Sequence, residues 1–227
     1  MKRKFSVAMM TCIIFMASCF TAFAETLFFN ERLAKAVSSA KLTDKSGRDI
    51  TASFLSQDSG TGSIIGYVTL SVGAEEVEAS SIAEIDFYGV ELDKITLIDF
   101  DSFSNYFPGL KTLRLPLPVS CKGTFDLSSD SLSELDVSGS SSDFILNLYG
   151  LPKIKSVKAS DCPELKAINL AKVDPADNSF ATTAPTADGK VLTPVLSSLT
   201  DIDLSNCPNL SRVGFLLATT TGSSIGG

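Results

Sequence analysis

Two pairs of carboxylates, Glu134 with Asp136 and Asp201 with Asp203, stand two residues apart in the chain. On an extended strand that spacing sends both side chains to one face, about 6.5 to 7 Å apart. Inverting glycoside hydrolases hold their acid and base at about 6.5 to 9.5 Å, so the pairs have the spacing of a carbohydrate-active site. Other catalytic chemistry is poorly provided for. The chain has no histidine and no tryptophan, which removes the usual neutral-pH base and the commonest metal ligand. The glycines at 60–62 and 222–227 lack the strand, helix and lysine context of a phosphate loop. The run from Asp44 to Thr51 resembles a calcium loop only at its first residue. Ser46 and Arg48 stand where further oxygen ligands belong and Leu55 where the bidentate Glu would be, so a plain turn is expected.

The carboxylate pairs lie in segments written x-L-x-L-x, whose leucines must point inward and whose alternate residues must point outward. Stacking such segments predicts three outward rows. The first is Glu84, Thr112, Glu134, Ser156 and Asp201; the second is Asp86, Arg114, Asp136, Lys158 and Asp203; the third is Tyr88, Pro116, Ser138, Ser160 and Ser205. Six carboxylates and two cations give this face a formal charge of −4. Because neighbouring strands are about 4.8 Å apart, the alternating charges of the second row can neutralise one another. A solvated charge ladder therefore outweighs an active site, which needs a water-excluding pocket to perturb a pKa. The candidate binding residues on this face are Glu84, Asp86, Tyr88, Arg114, Glu134, Asp136, Lys158, Asp201 and Asp203, with Tyr88 as the aromatic anchor. No catalytic residue, metal ligand or cofactor is assigned.

What would position these rows is an L-x-x-L-x-L pattern at Leu110, Leu113, Leu115, then Leu132, Leu135, Val137, then Ile154, Val157, Ala159, with starts 22 residues apart. It returns at Leu199, Ile202, Leu204 and precedes itself at Ile82, Ile85, Phe87. A fixed period of this size predicts stacked coils, each laying a strand beside that of its neighbour. A second extended segment per coil is expected from Leu146 and Leu148, from Leu165, Ile168 and Leu170, and from Leu210, Val213 and Phe215. Phe100, Phe103 and Phe107 should pack as core. Before the array, the stretch from Leu27 to Val37 predicts a short amphipathic helix, Asn30 its N-cap and Phe29 its staple, closing the end of the stack. Strands are expected at Ile50 to Leu55 and Ile64 to Val72. The expected organisation is a signal segment over 1–24, an N-terminal helix and capping region over 25–81, repeats over 82–218 broken by a proline-containing loop at about 173–198, and a disordered tail over 219–227.

Met1-Lys2-Arg3-Lys4, the apolar run from Phe5 to Phe20 and Ala22-Phe23-Ala24 read as a secretory signal with cleavage before Glu25. Met16-Ala17-Ser18-Cys19 also resembles a lipoprotein box, in which Cys19 would be lipidated. Either route exports the chain, to the medium or the cell surface. The run is too short to span a bilayer. Cleavage before Glu25 would take the formal charge from −7 to −10, since residues 1–24 hold three cations and no carboxylate; nucleic acid is then an unsuitable partner. Cys121, Cys162 and Cys207 fall at apolar positions of the repeats and are expected to be free, buried thiols, with a Cys162–Cys207 bridge as the alternative if their coils adjoin.

The segments LSELDVSG, IKSVKASDCPELKAINL and LTDIDLSNCPNLSRV resemble the leucine-rich repeats of bacterial secreted and cell-surface proteins, and FDSFSNYFPGLKTLRL (Phe100 to Leu115) is similar to the first repeat of such arrays. The resemblance implies a leucine-rich-repeat solenoid: parallel β-strands on one face, short second strands or turns opposite, and an N-terminal helical cap. It also implies a non-enzymatic adhesion module binding a protein or glycan partner through its exposed sheet. A carbohydrate-active enzyme and a purely structural envelope protein stand as alternatives.

Overall fold

In the computed structural model, residues 27–58, 64–100, 103–173 and 198–217 are described. The expected signal segment with Cys19, the interior of the expected loop (174–197) and the expected tail lie outside them. Among the described residues, no helix is long and apolar enough to cross a membrane.

The chain begins with a strand, β1 (Leu27–Asn30), followed by helix α1 (Glu31–Ser39). Asn30 divides them: its backbone is extended, and its side-chain oxygen accepts the Leu33 N–H at 2.9 Å, satisfying a donor that the first helical turn leaves open. The helix buries Leu33, Ala34, Ala36 and Val37, the i, i+3, i+4 face expected of an amphipathic segment. Leu27 to Phe29, which precede the expected N-cap within the stretch read as amphipathic, form strand β1.

Next come β2 (Lys41–Asp44), β3 (Asp49–Asp58), β4 (Ile64–Val72) and β5 (Glu75–Glu76). The β2–β3 turn is organised by Asp44, whose Oδ1 accepts the N–H groups of Ser46 (2.8 Å) and Arg48 (2.9 Å) and whose Oδ2 accepts Arg48 Nε at 2.7 Å. This carboxylate is buried and wholly engaged by its own turn, with Gly47 supplying the positive φ.

The remaining strands alternate between two layers. In the first lie β6 (Ile82–Asp86), β7 (Thr112–Arg114), β9 (Glu134–Asp136), β11 (Ser156–Lys158) and β13 (Asp201–Asp203). In the second lie β8 (Gly123–Asp126), β10 (Phe144–Asn147), β12 (Leu165–Val173) and β14 (Arg212–Leu217). The first layer is a ten-stranded mixed sheet of order β1-β4-β3-β2-β6-β7-β9-β11-β13, with β5 also on β4. The second is a four-stranded parallel sheet of order β14-β12-β10-β8.

This architecture corrects the expected leucine-rich-repeat solenoid with an N-terminal helical cap. Every pairing among β1 to β5 is antiparallel, and β2 pairs antiparallel with β6, so the N-terminal region continues the large sheet instead of ending it with a helix. The chain is a mixed α/β fold. The physical reason lies in Leu42, which sits opposite both Ile50 and Ile85 with all three buried. A strand with its own alternation of inward and outward residues joins a sheet edge by backbone hydrogen bonding and extends the core with it.

Parallel pairing is confined to β6 onward. Leu113, Leu135, Val157 and Ile202 share one register, and the first three are at most 1% exposed while Ile202, on the edge strand, is 37% exposed. Between the layers, Phe103 packs against Phe87, Phe100 and Phe107 with ring centroids 5.9, 5.7 and 5.0 Å away. Phe100 reaches on to Phe125 in edge geometry at 6.2 Å, which ties the two sheets together. Phe103 lies on a short helix, α2 (Phe103–Tyr106). Close approach is built in at Gly109, where a Cβ would lie 2.2 Å from the Ser80 carbonyl oxygen.

Candidate functional site

Three strands of the large sheet, β6, β9 and β13, are left through one recurrent turn. Asp86, Asp136 and Asp203, the last residues of their strands, each accept the backbone N–H two residues on, from Tyr88 (2.8 Å), Ser138 (3.0 Å) and Ser205 (3.0 Å). The next residue takes positive φ: Gly89, Gly139 and Asn206, with Asp161 at the equivalent place after β11. Only Gly, Asn and Asp enter that region cheaply. The aspartates of the second row thus have a structural duty, closing an Asx turn with one oxygen, that sequence reasoning missed. The signal was available as Asp two residues before Ser or Tyr and three before Gly or Asn.

Pairing then brings the expected rows together. Glu84, Thr112, Glu134, Ser156 and Asp201 are successive cross-strand partners, as are Asp86, Arg114, Asp136, Lys158 and Asp203. The antiparallel strands lengthen both rows with residues the repeat pattern could not supply. Lys41 stands opposite Asp86, Thr43 opposite Glu84, and Asp49 opposite Thr43. The second row now reads Lys41, Asp86, Arg114, Asp136, Lys158, Asp203, with alternating sign across six strands. The first alternates hydroxyl and carboxylate from Asp49 through Thr43, Glu84, Thr112, Glu134 and Ser156 to Asp201.

Side-chain contacts follow the alternation. Arg114 Nη1 donates to Asp86 Oδ2 at 3.2 Å, Thr112 Oγ1 to Glu134 Oε2 at 3.5 Å, and Ser156 Oγ to Asp201 Oδ2 at 3.3 Å. The Asp203 carboxyl is held below its usual pKa, chiefly by the Ser205 backbone N–H and then by the Ser205 hydroxyl. A catalytic acid needs the opposite shift. Asp136 has one oxygen, Oδ1, fixed by its turn.

A groove of about 340 Å³ opens at the strand ends, lined by Asp86, Tyr88, Arg114, Pro116, Asp136 and Ser138. Tyr88 is 80% exposed, whereas Phe87 beside it in sequence is fully buried. Glu84 and Glu134 lie on the same face outside the groove, on the strands that carry Asp86 and Asp136, and Lys158, Asp201 and Asp203 lie nearer the β13 edge. A larger cavity of about 510 Å³ lies between α1 and residues 90–95. Its walls are joined where Arg32 Nη1 donates to the Lys94 carbonyl at 3.1 Å, while Lys35 pairs with Glu31 within the helix at 2.5 Å.

The three described thiols are free; Cys121 and Cys162 are buried as expected, whereas Cys207, on the edge side of the sheet, is half-buried. Cys162 and Cys207 follow two paired strands, β11 and β13, but each thiol donates to the carbonyl just past the end of the preceding strand in the sheet: Cys162 to Val137 O, after β9, at 3.2 Å and Cys207 to Ala159 O, after β11, at 2.8 Å. Burial pushes the Cys121 thiol up to about 12 and Cys162 to about 11. Cys121 and Cys162 are thereby kept as thiols at neutral pH.

The chain matches no protein-family profile, no curated protein and no solved structure. Its function must be argued from this face.

Proposed function

We propose that this protein is an exported, non-enzymatic recognition module that binds a protein or glycan partner through the exposed face of its mixed sheet. The supporting observation is the cross-strand register, which gathers all the polar candidates on one surface and leaves Tyr88 standing over a groove. An aromatic side chain held in water, surrounded by fixed hydrogen-bonding groups, is a typical anchor for a ligand. The basic N-terminal tetrapeptide, the apolar run behind it and Ala22-Phe23-Ala24 support export.

The test is a binding screen of the mature chain against immobilised extracellular proteins and glycans, repeated with the double variant Glu134→Lys and Asp136→Lys. The reading requires a ligand whose affinity falls about tenfold or more in the variant. Equal binding by both proteins would sink it, and turnover of a polysaccharide by the wild type, abolished by Asp136→Asn, would replace it with an enzyme. Mass spectrometry of the mature N-terminus, reading Glu25 or acylated Cys19, checks the export step; an unprocessed Met1 overturns it.

A further inference from the structure

We infer that the groove beside Tyr88 is a subsite for one neutral pyranose ring of a glycan. The inference rests on the recognition reading above and narrows its partner. Two properties of the groove carry it: which hydrogen-bonding positions remain open, and what charge a ligand would meet there.

Asp86 is spent, with one oxygen on the Tyr88 N–H and the other on Arg114. Asp136 uses only Oδ1, on the Ser138 N–H. Among the described residues its Oδ2 has no hydrogen-bond donor. The Ser160 hydroxyl donates to Ser138 Oγ at 3.0 Å, so the Ser138 proton is left to point elsewhere. Arg114 has five N–H donors and directs one of them at Asp86. The groove therefore presents an open acceptor, an open hydroxyl and several open donors within two strands of each other. Sugar hydroxyls, each donor and acceptor at once, satisfy such a mixture.

Charge selects against ionic ligands. An ammonium group brought to Asp136 lies one strand, about 4.8 Å, from Arg114 on one side and Lys158 on the other. A carboxylate brought to Arg114 has Asp86 and Asp136 at the same spacing. In either case the gain at one position is offset at the next. A protein partner is disfavoured for a different reason: the centre of a protein interface is depleted of charge, whereas here one ring is surrounded by it. The Tyr88 ring, 80% exposed, is available to stack on the C–H face of a pyranose, and Pro116 adds an apolar lining residue to the same groove. The volume, about 340 Å³, is at the small end of the ~300–1,000 Å³ typical of small-molecule sites.

The experiment is titration calorimetry together with saturation-transfer NMR on the mature chain. The probes are a panel of neutral hexose and N-acetylhexosamine oligosaccharides, the matching uronic-acid oligosaccharides, and a lysine-rich peptide. The expected result is binding of at least one neutral oligosaccharide, with the charged probes at least about tenfold weaker. Tyr88→Ala should weaken that binding about tenfold, Tyr88→Phe by no more than about threefold, and Asp136→Asn about tenfold, while Lys122→Ala, outside the groove, leaves it unchanged. Circular dichroism of each variant separates lost binding from lost fold. Absence of any neutral binder, a preference for the peptide or the uronic acids, or equal binding by Tyr88→Ala overturns the inference. A protein ligand lost on Glu134→Lys and Asp136→Lys, with no saccharide bound, would overturn this subsite alone and leave the recognition reading standing.

Discussion

Asn169 donates its side-chain amide to Asn147 Oδ1 at 2.7 Å, in the parallel sheet opposite the charged face, and both residues are 1% exposed. The bond belongs to a relay across four strands. Arg212 Nη2 donates to Asn169 Oδ1 at 2.9 Å, Asn147 Nδ2 to the Tyr149 hydroxyl at 2.9 Å, and that hydroxyl to Asp126 Oδ2 at 2.8 Å. The chain starts at a side chain that can only donate and ends at a carboxylate that can only accept, so each amide has one orientation that satisfies it.

Breaking the relay at its centre should be costly. Asn147→Ala leaves the Asn169 amide buried without its acceptor, and we expect a loss of about 1 to 3 kcal/mol in urea unfolding. In a double-mutant cycle with Asn169→Ala the two losses should be markedly less than additive. Strict additivity would show that the two amides do not act together.

The aromatic core predicts a ranking. Phe103 touches three other rings and is 1% exposed, so Phe103→Ala should cost about 3 to 5 kcal/mol. Within the inward row, Leu113→Ala should cost about 2 to 5 kcal/mol and Ile202→Ala clearly less, because the edge residue is already 37% exposed. Denaturant midpoints in the reverse order would contradict the described packing.

Backbone contact makes Gly109 intolerant. A methyl group there meets the Ser80 carbonyl at 2.2 Å and the Ile82 carbonyl at 3.1 Å, and neither main-chain atom can swing aside. Gly109→Ala should destabilise by about 1 to 3 kcal/mol or prevent folding. At Gly139 space is open and only the positive φ of 73° opposes a side chain, so Gly139→Asn should be mild, as the natural Asn206 at the equivalent position indicates. Thermal unfolding of the two variants gives the comparison.

Buried thiols predict an alkaline limb. The folded-state pKa values of Cys121 and Cys162, near 12 and 11, lie above the ordinary value of 9.0. The unfolded chain therefore releases these protons first as pH rises. Their contribution to stability is complete below about pH 9 and is lost as pH climbs through the folded values. Stability should fall from pH 9 to 11, with a shallower slope in Cys121→Ala and Cys162→Ala. Iodoacetamide at neutral pH should label neither thiol until urea is added, and rapid labelling of Cys121 or Cys162 in the native chain, located by peptide mapping, would refute their burial. On the acid side Asp44 acts in the opposite direction: the Arg48 backbone N–H leads in holding its carboxyl below 3.8, so its contribution is lost as pH falls through that lowered value. Asp44→Asn should flatten the acid limb.

Much of the candidate site was legible before any coordinates. In the parallel strands, alternation of apolar and polar residues decides which side chains leave the core, and a constant period decides which of them become neighbours. That is why Glu84, Asp86, Arg114, Glu134, Asp136, Lys158, Asp201 and Asp203 could be placed on one face in rows. Lys41, Thr43 and Asp49 could not. They belong to strands outside the period, and the helical signal at Asn30 directed attention to a cap. Nor did the pattern show that Asp86 and Asp136 spend oxygens on their turns, which leaves Asp136 Oδ2 without a hydrogen-bond donor among the described residues.

The linear chain by itself determined the inward and outward sense of each repeated strand, the capping role of Asn30 and the apolar setting of the three cysteines, because these depend on residue type and short-range spacing. Tertiary structure alone decided that the N-terminal strands run antiparallel and extend the sheet, that Tyr88 lines a groove while Phe87 is buried, and that side chains from four strands and the turn residue Tyr149 form one hydrogen-bonded relay. Such outcomes depend on which backbone edge is free when distant segments meet. That is a property of the assembled sheet and is not encoded in any local period.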